Sequence, residues 1–168
     1  MGNNSSILCI TNDFGPRAGG IETFVIGLIE RLPKNSVIVY TSTQNGSEPF
    51  DQAWLQNFGV RVIRDKSKVL LPSFRVGRAV RKVLREEGVS TVFFGAAAPL
   101  GLLSQGLRRA GAERIVALTH GHEVWWSKVW PFSWAMRRIG NGTDHLTHLG
   151  EYTKSQISRA LSRRAISS

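Results

Sequence analysis

Cysteine occurs once in the 168-residue chain, as Cys9, so no disulfide can close within it and no cysteine cluster can hold structural zinc. Its neighbours Ile7, Leu8 and Ile10 mark it as a buried thiol rather than a reactive one. No apolar run reaches the ~18 residues that a bilayer-crossing helix needs. The first ten residues lack the basic start and apolar centre of a secretory signal, so the cytoplasm is the expected compartment. The tyrosines are isolated, Tyr40 and Tyr152, and offer no platform for stacking bases. No nucleic-acid-binding motif is visible, and nucleic acid is not an expected partner. Repeats, low-complexity blocks and obvious linkers are also missing. Acidic residues are few: 12 Asp and Glu stand against 22 Lys and Arg, giving a net charge of +10. That imbalance attracts anionic partners without choosing among them.

Hydrophobic residues make up 42% of the chain and charged residues 20%, the balance of a globular domain with a core of its own. Short apolar runs alternate with helical patterns. Strands are expected at residues 6–11, 37–40, 60–64, 89–94, 114–118 and 144–149. Helices are expected at 21–32, 73–87, 100–110, 133–139 and 152–161, with a short one at 51–58 after a polar loop at 41–50. Ser73 is placed to cap the third of these in order, and Gly111 to end the helix before it. Strands alternating with helices predict an α/β fold with a doubly wound, mostly parallel, Rossmann-like sheet. A strand order of 3-2-1-4-5-6 would bring the loops after strands 1, 4 and 5 to one rim, where such sheets bind ligands.

Those loops are the most distinctive segments. TNDFGPRAGGIE, residues 11–22, joins a strand to a helix through Gly19 and Gly20. Glycines ahead of a helix N-terminus let backbone N–H groups approach a phosphate closely. The loop misses the G-x-G-x-x-G spacing of a dinucleotide site, and Val39-Tyr40-Thr41 closes strand 2 without a carboxylate. A Gly-Lys-Ser/Thr P-loop is absent too. After strand 5, Thr119-His120-Gly121-His122-Glu123 gathers two imidazoles and a carboxylate. In an extended segment His120 and His122 point to opposite sides and no third ligand is clustered with them, so the segment suits a polar active-site edge, or a loop whose histidines are solvated or satisfy backbone groups, better than a metal site; its place after a strand favours the active-site edge.

Arg75, Arg78, Arg81, Lys82 and Arg85 cover one side of the helix at 73–87. They suit either a solvated face or an anionic membrane surface, with Lys66, Lys68 and the apolar residues of VLLPSF (69–74) beside them. Four of the five tryptophans, Trp125, Trp126, Trp130 and Trp134, fall within ten residues. They suit a core, a lipid groove or a docking face.

Taken together and in order, TNDFGPRAGGIE (11–22), STQN (42–45), FFGAAAPL (93–100), THGHEVWW (119–126) and RRIGNGTDHLTHLGEYT (137–153) resemble the N-terminal domain of GT-B, family-4 retaining glycosyltransferases. Within them the chain looks most like the actinobacterial phosphatidylinositol mannosyltransferases. The resemblance implies GDP-mannose as donor, phosphatidylinositol monomannoside as the inositol phospholipid acceptor, and a peripheral place at the inner face of the plasma membrane. It implies that Gly19, Gly20 and Ile21 meet the donor diphosphate. His120 would be the catalytic-site residue beside the transferred sugar, and Asp13, Arg17, Thr119, His122 and Glu123 would border the acceptor. No tightly bound cofactor is expected and no metal ligand set is assigned; a role for added magnesium is left open. Residues 1–161 would form the acceptor-side domain and 162–168 a tail or the start of an interdomain linker. The family's C-terminal donor domain is not represented in the sequence, so this chain is expected to lack efficient transfer by itself. The other reading is a non-catalytic membrane- or phosphoinositide-binding module that uses the same rim and basic face.

Overall fold

The computed structural model describes residues 6–16, 19–120 and 132–147. In chain order come β1 (Ile7–Ile10), α1 (Gly20–Ile29), β2 (Val37–Ser42), α2 (Ser47–Phe58), β3 (Arg61–Asp65), α3 (Phe74–Glu86) and β4 (Thr91–Phe94). A 3-10 turn at Leu100–Leu103 runs into α4 (Ser104–Arg109), followed by β5 (Arg114–Leu118), α5 (Phe132–Gly142) and β6 (His145–Thr147). The strands form one six-stranded sheet in the order β3-β2-β1-β4-β5-β6, and each neighbouring pair is parallel. This is the expected doubly wound, Rossmann-like sheet. Its strand order reverses between β1 and β4, so the loops after those strands diverge and leave a crevice at the carboxyl edge.

Alternate residues of each strand serve two cores. Leu8, Ile10, Val92 and Phe94 pack with Val76, Val80 and Leu84 of α3 and with Met136 and Ile139 of α5. Cys9, Val39 and Phe93 face the other way, against Val25 and Ile29 of α1 and Trp54 of α2. Full burial of a side chain of this size is worth about 1.5–3 kcal/mol, so two-sided burial of the central strands holds the sheet together. Cys9 is fully buried, and that burial pushes its thiol well above the usual range.

Helix α3 forms for the reasons the sequence suggests. The Ser73 hydroxyl accepts from the Val76 N–H at 3.3 Å, and Val76, Val80 and Leu84 bury one stripe. Two expectations need correction. Residues 41–50 are not one loop, because β2 continues through Ser42 and α2 already begins at Ser47. Gly46, at φ 72°, turns the chain there, and Pro49 falls in the first helical turn, where its missing N–H has no helical partner to lose. Nor are residues 100–110 one α-helix. The 3-10 turn comes first, and Gly101 lies so close to α5 that an added Cβ would stand 2.8 Å from Ile139 Cγ2. The expected helix at 152–161 and strand residues 148–149 lie outside the described residues.

Candidate functional site

The carboxyl edge is stitched by backbone hydrogen bonds that carry each strand's ladder into its loop. Thr11 N–H donates to Tyr40 O at 3.2 Å, Gly95 N–H to Ile10 O at 3.1 Å, and Ala97 N–H to Leu118 O at 2.6 Å. The loops after β1, β4 and β5 therefore leave the sheet side by side. Gly95 lies tight against Thr11. A Cβ there would sit 2.6 Å from Thr11 Oγ1 and 2.7 Å from Thr11 Cβ, so only glycine lets β4 end against β1.

Between these loops is a hollow of about 260 Å³, with Asn12, Asp13, Ile21, Ala98, Pro99 and His120 on its walls. His120 Nε2 is 2.6 Å from the Gly95 carbonyl oxygen. A carbonyl only accepts, so Nε2 carries the proton, and in the neutral ring Nδ1 is then an acceptor. The Phe24 ring of α1 meets the imidazole edge-on, with centroids 6.0 Å apart. Asp13 is half-buried, and its N–H donates to Thr11 Oγ1 at 2.9 Å. Burial raises the Asp13 carboxyl above its ordinary value, and the charge of His120 works in the opposite direction. The hollow thus pairs a carboxylate with an imidazole against an apolar wall, which suits a polyol whose hydroxyls need both donors and acceptors.

The loop carrying Asp13 is fixed from a distance. The Asn12 side chain donates to Leu70 O at 3.1 Å and accepts from Leu70 N–H at 2.6 Å. Leu70 is fully buried. The loop that carries it is held in turn by Asp65, a buried carboxylate at the end of β3. Asp65 takes both ends of the Arg75 guanidinium, at 2.7 and 2.9 Å, the Tyr40 hydroxyl at 2.5 Å and the Ser67 N–H at 2.8 Å. The Arg75 pairing leads the effects that hold Asp65 far below the usual carboxylate range, while burial and the carboxylate together raise Tyr40.

Of the residues expected at the site, the structure brings Asp13, Ile21 and His120 to one hollow. Gly19 and Gly20 stand exposed at the start of α1, beside Ile21. Gly19 is extended and no side chain caps the helix, and a Cβ on Gly20 would meet nothing within 4 Å. Thr119 sits elsewhere. It is buried, and its hydroxyl donates to Thr147 O at 2.8 Å, on the seam between β5 and β6. Arg17, His122, Glu123, Trp125, Trp126 and Trp130 lie outside the described residues, and Trp134 is exposed on α5. Among the described residues, no three His, Cys, Asp or Glu side chains converge as a metal site would require, and no helix is long and apolar enough to cross a membrane. The sequence reading missed Asn12 and Phe24. The only signals were a polar residue just past a buried strand and an aromatic one turn into α1.

A doubly wound parallel sheet with polar groups gathered at its switch point is a ligand-binding α/β domain. The chain belongs to glycosyltransferase family 4, whose model, described as "Glycosyltransferase Family 4", matches residues 18–166. It is 42% identical over 159 residues to a GDP-mannose-dependent alpha-(1-6)-phosphatidylinositol monomannoside mannosyltransferase of Mycobacterium tuberculosis, covering 93% of this chain and 41% of that protein. The protein of the same description from Mycolicibacterium smegmatis is 41% identical over 155 residues, with 92% and 40% covered. A monoacylated-acceptor counterpart from Corynebacterium glutamicum is 37% identical over 160 residues, with 95% and 42% covered. The chain therefore spans about two fifths of the length of these relatives. Among solved structures, Anabaena Alr3699/HepE in complex with UDP superposes with a TM-score of 0.62 at 12% identity, over 92% of this chain and 40% of that one. At that identity the likeness is one of fold.

Proposed function

We propose that this chain is the acceptor-side domain of a retaining mannosyltransferase that moves mannose from GDP-mannose to phosphatidylinositol monomannoside. The observation that carries the reading is the Asp13–His120 hollow beside the start of α1, on a chain 37–42% identical to transferases named for that donor and acceptor. Asp13 accepts from acceptor hydroxyls. His120, its Nε2 held at the Gly95 carbonyl, lies beside the transferred sugar. Gly19, Gly20 and Ile21 let the donor diphosphate approach the positive end of α1. Rate comes from stabilising the departing diphosphate and from aligning acceptor with donor. A second domain, carried by the rest of such a protein, supplies the nucleotide contacts, so the chain alone turns over poorly. The basic side of α3 holds the protein at the inner face of the plasma membrane.

The test joins residues 1–161 to the C-terminal domain of the Mycolicibacterium relative and supplies radiolabelled GDP-mannose with phosphatidylinositol monomannoside in vesicles. Labelled mannolipid from the chimera, and none from the chain alone, is expected. A folded chimera that binds vesicles yet labels no lipid would sink the transferase reading and favour a non-catalytic lipid-binding module.

A further inference from the structure

Thr11 stands just past the end of β1, and its backbone carries the ladder one step further by donating to Tyr40 O at 3.2 Å. Side chains alternate along a strand, so Thr11 shares the face of Cys9, toward α1. It is fully buried. A hydroxyl with no access to water is kept where its oxygen has work with protein groups.

The Thr11 side chain has two such neighbours, and each leads to a different residue of the hollow. The first is Asp13. Thr11 Oγ1 accepts from the Asp13 N–H at 2.9 Å, a local turn that bends the chain as it leaves the strand. Asp13 then stands on the wall of the hollow. The second neighbour is Gly95. A Cβ there would collide with Thr11 Oγ1 and Cβ and would stand 3.2 Å from Val25 Cγ2 of α1. Thr11 is therefore packed onto the bare Gly95 backbone, with α1 also close. The Gly95 carbonyl in turn holds His120 Nε2 at 2.6 Å. Asp13 and His120 come from different loops, after β1 and after β5, and Thr11 is tied to both.

We propose that Thr11 is a positioning residue that sets the spacing between Asp13 and His120, through its hydroxyl to the first and through its packing on Gly95 to the second. This rests on the transferase reading above. Thr11 has no exposed surface, so it acts through these two residues and not on either substrate. Transfer by alignment is sensitive to such a spacing, since a misplacement of about 1 Å can cost about a hundredfold in rate.

Three substitutions separate the two ties. Thr11→Val keeps a branched shape against Gly95 but has no oxygen for the Asp13 N–H. Thr11→Ala gives up that oxygen and opens space beside Gly95. Thr11→Ser keeps the oxygen and loses only the methyl. In the chimera, Thr11→Val is expected to lower kcat about tenfold to a hundredfold with donor KM unchanged, because Gly19, Gly20 and Ile21 are untouched. Thr11→Ala is expected to lose at least as much, and Thr11→Ser to recover most of the rate. Val80→Ala loosens the core under α3 away from the rim and serves as the control. Wild-type kcat in Thr11→Val, or no recovery in Thr11→Ser, would overturn the proposal. A loss in Val80→Ala as large as that in Thr11→Val would replace positioning with general loosening.

A second readout needs no transfer. In the 15N-labelled chain, the Asp13 amide is expected to exchange with solvent faster in Thr11→Val than in wild type, while the His120 Nε2 proton keeps its protection. In Thr11→Ala both are expected to exchange faster. An Asp13 amide that exchanges equally in wild type and Thr11→Val would overturn the tie. A wild-type chimera that transfers no mannose sinks the transferase reading alone, and the exchange rates still decide whether Thr11 holds Asp13 and His120.

Discussion

The carboxamide of Asn12 grips the backbone of Leu70 from both sides, donating to its carbonyl and accepting from its N–H, across 58 residues of sequence. One side chain thus ties the loop after β1 to the loop after β3. It also sets where the neighbouring Asp13 can stand.

Asn12→Ala removes both bonds and leaves two buried backbone groups of Leu70 without their partner. The expected loss is about 1–3 kcal/mol, read as a lower urea midpoint with unchanged slope. Asn12→Asp can accept but no longer donate, and is expected to fall between wild type and alanine. If Asn12→Ala unfolds at the wild-type midpoint, the grip contributes nothing.

Asp65 predicts an acid limb in the stability profile. Its folded pKa is depressed, so its stabilisation is complete above the ordinary carboxylate value near 4 and is lost as pH falls through the lower folded value. Asp144 adds to the same limb. Burial pushes its carboxyl up, but Arg108 and the Ile115 N–H outweigh burial and leave it lowered. Asp65→Asn is expected to cost about 2–3 kcal/mol at pH 7 and to flatten the slope below pH 5, measured by denaturation across pH. An unchanged slope would show that Asp65 is not the group responsible.

Asp13 behaves in the opposite sense. Its pKa is raised by burial, so the folded state favours the protonated form, and stability falls as pH rises through the ordinary carboxylate value to the folded one. Asp13→Asn is expected to raise the thermal midpoint at pH 7 while reducing transfer in the chimera. Lower stability together with lower transfer would mean that the residue serves the fold.

At the start of α1, Gly20→Ala has open space for its Cβ and improves helix propensity, so stability is expected to hold or rise by up to about 1 kcal/mol. In the proposed function the same methyl would stand in the approach of the donor diphosphate. Donor kcat/KM in the chimera is expected to fall roughly tenfold, the scale of 1.4 kcal/mol. Gly95→Ala should fail differently. Its Cβ would collide with Thr11 and displace the carbonyl that holds His120, costing about 1–3 kcal/mol of stability along with activity. Wild-type kinetics in both variants would remove the rim from the mechanism.

The parallel sheet was legible because local runs such as VIVY and TVFF are nearly all apolar, and two-sided burial leaves few other places for them. The rim's place follows from strand order, whereas Asp13, Ile21 and His120 as particular residues on it come from the family resemblance, and the structure brings those three to one hollow. What the sequence hid was pairing at a distance. Nothing local distinguishes Arg75 from Arg78, yet one is bound to a buried Asp65 and the other lines an open groove. The resemblance puts Thr119 at the acceptor, while in the structure its short side chain reaches the Thr147 carbonyl on the next strand. The start of α2 was hidden by Pro49, a breaker inside a helix and harmless in its first turn.

The lone thiol, that of Cys9, lies at the middle of the sheet with strands on both sides and no exposed surface. A thiol reagent can reach it only when α1 and α2 lift from that face of the sheet or the strands themselves part. The rate at which the native chain takes up such a reagent is therefore a clock for opening of that helix–sheet core, and the molecule carries the reporter without any added label.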